Sequence, residues 1–463
     1  MQPISDQHQD TIVALATPSG TGAIAVIRLS GPDSIGIVNK VFHGKNLEEQ
    51  PSHTIHFGTI RDGGELIDEV LVSLFRAPRS YTRENSAEVS CHASPYIIDR
   101  LLRLFIREGA RAANPGEFTQ RAFLNGQLDL SQAEAVADLI ASTSSASHRV
   151  ALQQLRGGIS GKLETLREQL IQFASLIELE LDFSEEDVEF ANREQLNELV
   201  RQIRTELGRM ISSFELGNAL KSGLPVVISG KPNAGKSTLL NALLNEERAI
   251  VSDIPGTTRD IIEDELVIGG MRFRFIDTAG IRETTDQIES IGVQRAYGKI
   301  RQSAIVLYLF DPREIPPDRL GGILDEIRSH MSKPENLLAV ANKMDLLDEQ
   351  AVRRDYAGVG NLLLISAREH QNMDLLTDEL LKMAQLSRLD SDEVIVSNIR
   401  HIEALSRTDQ ALENALQMLD QPISGELLAF EIRHALHYLG EITGTISNED
   451  LLDSIFSKFC IGK

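Results

Sequence analysis

The sequence predicts a multidomain chain of mixed α/β and α+β class: an N-terminal α+β domain, a helical domain made from two sequence halves, and a doubly wound α/β domain inserted between them. Three observations carry this. No proline occurs from Gly116 to Leu224, and a residue that interrupts helices is expected to be missing where helices are long. Before that stretch, short apolar runs are broken by Gly and Pro; after it, apolar runs alternate with helical stretches. The length of 463 residues corresponds to about three domains.

Taken in order, residues 1–125 form the α+β domain. Ala23 to Leu29 and Val70 to Phe75 read as strands, punctuated by turn formers such as Thr17, Pro18, Ser19 and Gly20. Residues 126–222 are the first helical half. There Leu152, Leu155, Ile159, Leu163, Leu166, Leu170, Phe173, Ile177 and Leu181 recur at steps of three and four, which draws one apolar stripe. Asp182 to Glu189 holds five acidic residues and reads as a solvated face or loop rather than a metal site.

Residues 223–386 are the α/β domain. Val226 to Ser229, Phe273 to Ile276, Ile305 to Phe310, Leu337 to Ala341 and Leu362 to Ile365 read as strands, with a helix over Thr238 to Leu244, and the alternation implies a mostly parallel sheet. Residues 387–463 are the second helical half, with Leu428, Ile432, Leu436, Leu439 and Ile442 on one face and the tail Cys460, Ile461, Gly462, Lys463 at the end. Each half carries a stripe that needs a partner, so the two halves are expected to pack together.

Composition narrows the function. With 42% hydrophobic and 25% charged residues the chain is globular. The net charge of -22 repels polyanions, so nonspecific nucleic-acid coating is disfavoured and any RNA must meet a local basic patch. Two cysteines, Cys91 and Cys460, exclude a disulfide framework or a four-cysteine zinc site and predict a reducing, cytoplasmic location. The longest purely apolar run, Ala304 to Phe310, is far short of a membrane span, and the first ten residues have no export pattern.

The chemistry lies in the α/β domain. Gly230, Lys231, Pro232, Asn233, Ala234, Gly235, Lys236 and Ser237 satisfy G-x-x-x-x-G-K-[ST] between a strand and the helix that continues through Thr238. Backbone N–H groups in such a loop wrap phosphates, Lys236 neutralises the β and γ groups, and the Ser237 hydroxyl ligates Mg²⁺. Asp277, Thr278, Ala279 and Gly280 close the next strand, offering a carboxylate near Mg²⁺ and an N–H for the γ-phosphate.

Asn342, Lys343 and Asp345 follow a further strand. Asp345 suits the ring N–H and amine of guanine, a donor pair that adenine lacks, so GTP is expected over ATP, with Ser366 and Ala367 at the guanine oxygen. The polar run Ser252, Asp253, Ile254, Pro255, Gly256, Thr257, Thr258 is the expected switch loop, with Thr258 as a Mg²⁺ ligand. Ile281 follows Gly280 where Ras-like enzymes carry a water-positioning glutamine. Hydrolysis must therefore use another residue, and Arg282, Glu283, Asp286 and Glu289 are at hand.

With these motifs in view, the chain resembles the tRNA modification GTPases of the MnmE (TrmE) type over essentially its whole length. The resemblance rests on Gly256, Thr257, Thr258, Arg259 and Asp260; on Asp277 through Glu283; on Thr11 through Pro18; on Pro115 through Asn125; and on the tail Phe459 through Lys463. It implies a homodimeric, K⁺-stimulated GTPase that works with an FAD-dependent MnmG-type partner in a heterotetramer. Together they would add an aminomethyl-type group to the wobble uridine of tRNA, with the one-carbon unit drawn from 5,10-methylene- or 5-formyl-tetrahydrofolate.

The same resemblance implies K⁺ at Asn233 with oxygens of Ser252, Ile254 and Thr257, and an attacking water positioned by Glu289. Folate would be held at Arg28, Glu88, Gln127 and Lys463 in an N-terminal domain that also dimerises. Gln127 keeps hydrogen bonding but carries no cation. The competing expectation, a GTP-regulated ribosome assembly factor, is weakened because residues 1–125 hold 12 basic and 14 acidic residues and so offer no basic RNA module.

Overall fold

A computed structural model describes residues 10–182, 193–246, 263–277, 297–384, 394–419, 425–447, 449–457, 459 and 461–462. The chain divides into two compact units: residues 1–137, 154–191 and 420–463 in one, 138–153 and 192–419 in the other.

The first unit is built on a seven-stranded sheet: β1 (Ile12–Leu15), β2 (Ile24–Ser30), β3 (Phe42–His43), β4 (Thr54–Asp62), β5 (Glu65–Phe75), β6 (Ser86–His92) and β7 (Arg111–Ala112), in the order β3-β4-β5-β6-β2-β1-β7. All its pairings are antiparallel except β1 with β7. The alternation is visible in β5, where Val70, Val72 and Leu74 are buried while Leu71 is exposed, as expected for a sheet with one covered face. The helices Ser34–Val41 and Pro95–Arg107 supply Ile35, Val38, Leu101 and Phe105 to that core.

Elsewhere in this unit, Gly158–Asp182 packs on Gly425–Thr443, so stretches more than 200 residues apart bury each other's stripes. The stripe from Leu152 to Leu181 is not one helix. It breaks between Ser145–Leu155 and Gly158–Asp182, where Gly157 takes φ 81, a left-handed turn that helix periodicity does not register.

The second unit carries a six-stranded sheet: β8 (Leu224–Ser229), β9 (Glu263–Ile268), β10 (Met271–Asp277), β11 (Ile305–Phe310), β12 (Leu337–Ala341) and β13 (Leu362–Leu364), in the order β13-β12-β11-β8-β10-β9. Five strands are parallel, and β9 runs antiparallel on the edge. Every residue of β11 and β12 is buried. Ile305, Leu307 and Leu309 join one apolar layer, and Val306, Tyr308 and Phe310 the other. A sheet covered on both faces needs such uninterrupted apolar runs. The helices Arg193–Ser222 and Ile399–Leu419 pack together in the same unit, tied by Arg204 to Asp409 at 2.8 Å. No helix among the described residues is long and apolar enough to cross a membrane.

Candidate functional site

The parallel strands of the second unit all deliver their following residues to one edge, the carboxyl edge where α/β sheets bind ligands. β8 leads into Gly230, β10 ends on Asp277, β12 leads into Asn342, and β13 is followed by Ser366. The helix Lys236–Glu246 opens beside them, so its N-terminus and dipole face the same space.

An open cleft of about 490 Å³ results, lined by Asn233, Gly235, Lys236, Ser237, Thr238, Asn342, Lys343 and Asp345 together with Pro232, Leu346 and Arg368. Two features hold its walls. Asn342, almost fully buried, donates from Nδ2 to the Ala234 carbonyl at 2.8 Å and accepts the Ala367 amide on Oδ1 at 3.0 Å. The phosphate loop and the two base-side loops are thereby locked to one amide side chain. Gly235 must be glycine here: it has φ 102, and a Cβ would stand 2.3 Å from Asn342 Nδ2.

Lys236 Nζ arches back over the loop, donating to the carbonyls of Gly230 at 2.7 Å and Lys231 at 3.0 Å. Asn233 sits in the left-handed region with φ 61 and is exposed. Asp345 Oδ1 accepts the Ser366 hydroxyl at 2.6 Å, which leaves its second oxygen for a ligand. Ser366 and Ala367 are themselves buried and stand behind the lining rather than in it.

Several predicted residues fall outside what the structure describes. These are Ser252, Asp253, Ile254, Pro255, Gly256, Thr257, Thr258, Thr278, Ala279, Gly280, Arg282, Glu283, Asp286, Glu289, Cys460 and Lys463, with most of the acidic run Asp182 to Glu189. Asp277 is described as backbone only, paired with Ile228 of β8.

Sequence reasoning passed over Leu346 and Arg368, each one residue past a motif, and Asp311. That carboxylate is 1% exposed and lies first after the apolar run of β11, the same signal that had marked Asp277. Hydrogen bonds from Arg313, aided by Lys343, hold Asp311 well below the usual carboxylate range against the opposing push of burial.

In the first unit, Arg28 and Glu88 are direct partners across β2 and β6, with Arg28 Nε donating to Glu88 Oε1 at 2.9 Å. The Arg28 guanidinium lies 5.4 Å from the Tyr81 ring centroid and 5.8 Å from that of Phe118. Both charges are partly covered, at 18% and 27% exposure, so an ionised or donor-rich ligand could meet each without displacing the fold. Gln127 accepts from Arg83 Nε at 3.0 Å, which brings a cation to a position that has none of its own.

The C-terminal tail closes on the same strands. Gly462 has φ 97 and approaches so closely that a Cβ would lie 2.2 Å from the Leu15 carbonyl, and Leu15 and Ala14 pair with Ile27 and Arg28. Cys91 is a free buried thiol whose pKa burial pushes up to about 11, with help from Asp68. It is a core residue and not a nucleophile.

Two family profiles match the chain. One, described as GTP-binding protein TrmE N-terminus, covers residues 11–127; the other, described as MnmE helical domain, covers residues 130–460. The chain is 54% identical to the tRNA modification GTPase MnmE of Cytophaga hutchinsonii over 98% of each chain. It is 53% identical to that of Christiangramia forsetii over 98% of this chain and 99% of the relative. Among solved structures, Era of Aquifex aeolicus bound to GDP and AlF4⁻ is 28% identical, covering 40% of this chain and 66% of that one, with a TM-score of 0.27.

Proposed function

The chain belongs to the MnmE (TrmE) family and is a GTPase involved in tRNA modification, and from that membership we propose a K⁺-stimulated GTP hydrolase that helps install a (carboxymethyl)aminomethyl-type group at carbon 5 of the tRNA wobble uridine. It acts in the cytoplasm as a homodimer, joined by an FAD-dependent MnmG-type partner in a heterotetramer. The reading divides the chain into a folate-binding and dimerisation domain at 1–125, helical halves at 126–222 and 387–463, and a G domain at 223–386.

The observation that carries the nucleotide site is the double brace of Asn342 to Ala234 and Asp345 to Ser366. Gly235, Lys236, Ser237 and Thr238 would hold the phosphates, with Ser237 and Thr258 on Mg²⁺, Asp277 behind it, and Gly280, with its neighbours Thr278 and Ala279, against the γ-phosphate. Asn342, Lys343, Asp345, Ser366 and Ala367 would select guanine. Lys236 withdraws charge from the phosphoryl oxygens as it builds. Asn233, exposed and left-handed at the mouth of the loop, would offer its side-chain oxygen to K⁺. Ser252, Ile254 and Thr257, in the run that also holds Asp253, Pro255 and Gly256, would complete the shell. Glu289 would orient the attacking water.

For tetrahydrofolate the supporting observation is the half-buried Arg28–Glu88 pair beside Tyr81. Glu88 would accept from the pterin N–H and amine, as Asp345 does for guanine; Arg28, Gln127 and Lys463 would meet the remaining polar groups. When bound, the folate supplies the one-carbon unit. What this chain contributes is orientation and exclusion of water.

Mass spectrometry of tRNA nucleosides from a deletion strain tests the reading. Loss of the wobble-uridine substituent is the expected result. Intact modification alongside defective ribosomes would overturn it in favour of an assembly factor.

A further inference from the structure

We propose that Asp311 is a positioning residue of the guanine-reading loop, acting through Lys343; the inference rests on the nucleotide-site reading above. Asp311 follows β11 directly, and the register pairs Phe310 with Ala341 of β12, so the two strands release Asp311 and Asn342 side by side. The Asn342 amide donates to the Phe310 carbonyl at 2.8 Å, tying the loops at their roots.

A carboxylate this buried requires compensating charge. Part of it is local: Arg313 donates from its backbone and Nε to Oδ1 at 3.0 Å each, and from Nη2 to Oδ2 at 2.7 Å. The other part crosses between strands, where Lys343 Nζ lies 3.0 Å from Oδ2. Arg313 closes a turn two residues long and would form wherever that turn went. Beyond the backbone tie at the roots, the Lys343 pair fixes the side chain of one loop against the other.

Lys343 has reason to need fixing. It is left-handed at φ 68, a conformation that L residues other than Asn and Asp rarely hold unaided. With Nζ anchored on Asp311, its stem is left to line the cleft. Asp345, two residues on, is then held where Ser366 occupies one oxygen and the base would meet the other. Release of Lys343 frees the turn that aims Asp345, and the preference for guanine should weaken with it.

The test is a double-mutant cycle on the full-length protein with fluorescent GDP and with GTP turnover. Asp311→Asn keeps the shape and removes the charge; Lys343→Met breaks the same pair from its more exposed end. Each should raise the Kd for GDP and the KM for GTP about tenfold, the scale of one charge-assisted bond, with kcat altered less than twofold. The ratio of KM for ITP to KM for GTP should fall, because inosine lacks the amine that Asp345 reads. The double variant should be no worse than the worse single one.

Wild-type affinity in either single variant overturns the proposal, as do additive losses or an unchanged ITP to GTP ratio. If Asp311→Asn does not fold, wild-type behaviour of Lys343→Met is sufficient to overturn it. Asp345→Asn, measured alongside, separates the failures. Normal GDP affinity there refutes the guanine site itself and the inference with it. Weakened affinity there with a normal Asp311→Asn refutes only the inference.

Discussion

Asp345 accepts the Ser366 hydroxyl on one oxygen at 2.6 Å, which fixes how its carboxylate faces the guanine edge. Asp345→Asn can turn its amide so that a donor faces the guanine amine, leaving that group unpaired in a desolvated site. The expected cost is on the order of 2 kcal/mol, seen as a fall of about 30-fold in GTP affinity. Xanthosine triphosphate, with a carbonyl in place of the amine, should recover binding in the variant. Around the phosphates, Asn233 is the proposed K⁺ ligand and Glu289, which lies outside the described residues, the proposed water-positioning group. Exchange of K⁺ for Na⁺ at constant ionic strength should slow turnover sharply. Glu289→Ala should do the same with GTP affinity nearly unaltered; wild-type turnover equally fast in Na⁺ and in K⁺ would remove the cation role of Asn233.

At the scale of elements, the pairing of β2 with β6 brings Arg28 to Glu88, and the folate reading depends on that register. Calorimetry with 5-formyl-tetrahydrofolate should give a binding signal with the wild type and none with Glu88→Ala. Beside the Arg28–Glu88 pair, with its Phe118 ring against Arg28, the helix Glu117–Leu124 is pinned by Arg121, whose side chain is 1% exposed and donates to Asp10 at 2.6 Å and Glu117 at 3.0 Å. Arg121→Ala takes from the buried Glu117 carboxylate one of its two arginine partners and should cost about 3 kcal/mol in chemical denaturation.

The same cluster predicts acid sensitivity. Burial pushes the Glu117 carboxyl up, but hydrogen bonds from Arg111, the Asn114 amide and Arg121 outweigh it, so the folded pKa lies below the ordinary value. Its stabilisation is therefore fully present above about pH 4.3, the unfolded value. It is lost as pH falls through the lower folded value. Glu117→Gln should flatten the acid limb of the stability profile, and an unchanged limb would show that other carboxylates govern it.

For the molecule as a whole, the open face of the first unit's sheet bears on the proposed dimer. Phe57 and Leu71 face each other across β4 and β5 and are 67% and 45% exposed, with Ile55 beside them at 66%. Leu71 pairs with Ser90, and Ser90 with Val26. By the two-residue period, Glu88 and Arg28 lie on that same face. An uncovered apolar surface of this kind marks an interface, and one centred there would adjoin the Arg28–Glu88 pair. Phe57→Glu should halve the mass seen by analytical ultracentrifugation. Because each chain carries a net charge of -22, self-association of the wild type should strengthen as salt rises. A variant that remained dimeric would move the interface elsewhere.

The sequence by itself determined the α/β unit and its chemistry. The phosphate loop, Asp277, Asn342 through Asp345 and Ser366 are short contiguous motifs, each at the end of an apolar run. A parallel sheet gathers such ends at one edge whatever its details. Tertiary structure alone decided which distant residues meet. Asn342 reaches Ala234 across 108 positions, Arg28 meets Glu88 across 60, and Arg121 finds Asp10 across 111. Asp311 meets Lys343 only because β11 and β12 pair in one register, and Gly157 divides a stripe whose periodicity runs through it. Hydrophobic period and motif are properties of neighbours along the chain. Register, burial and the partner of a charge are properties of segments that become neighbours only when the chain has folded.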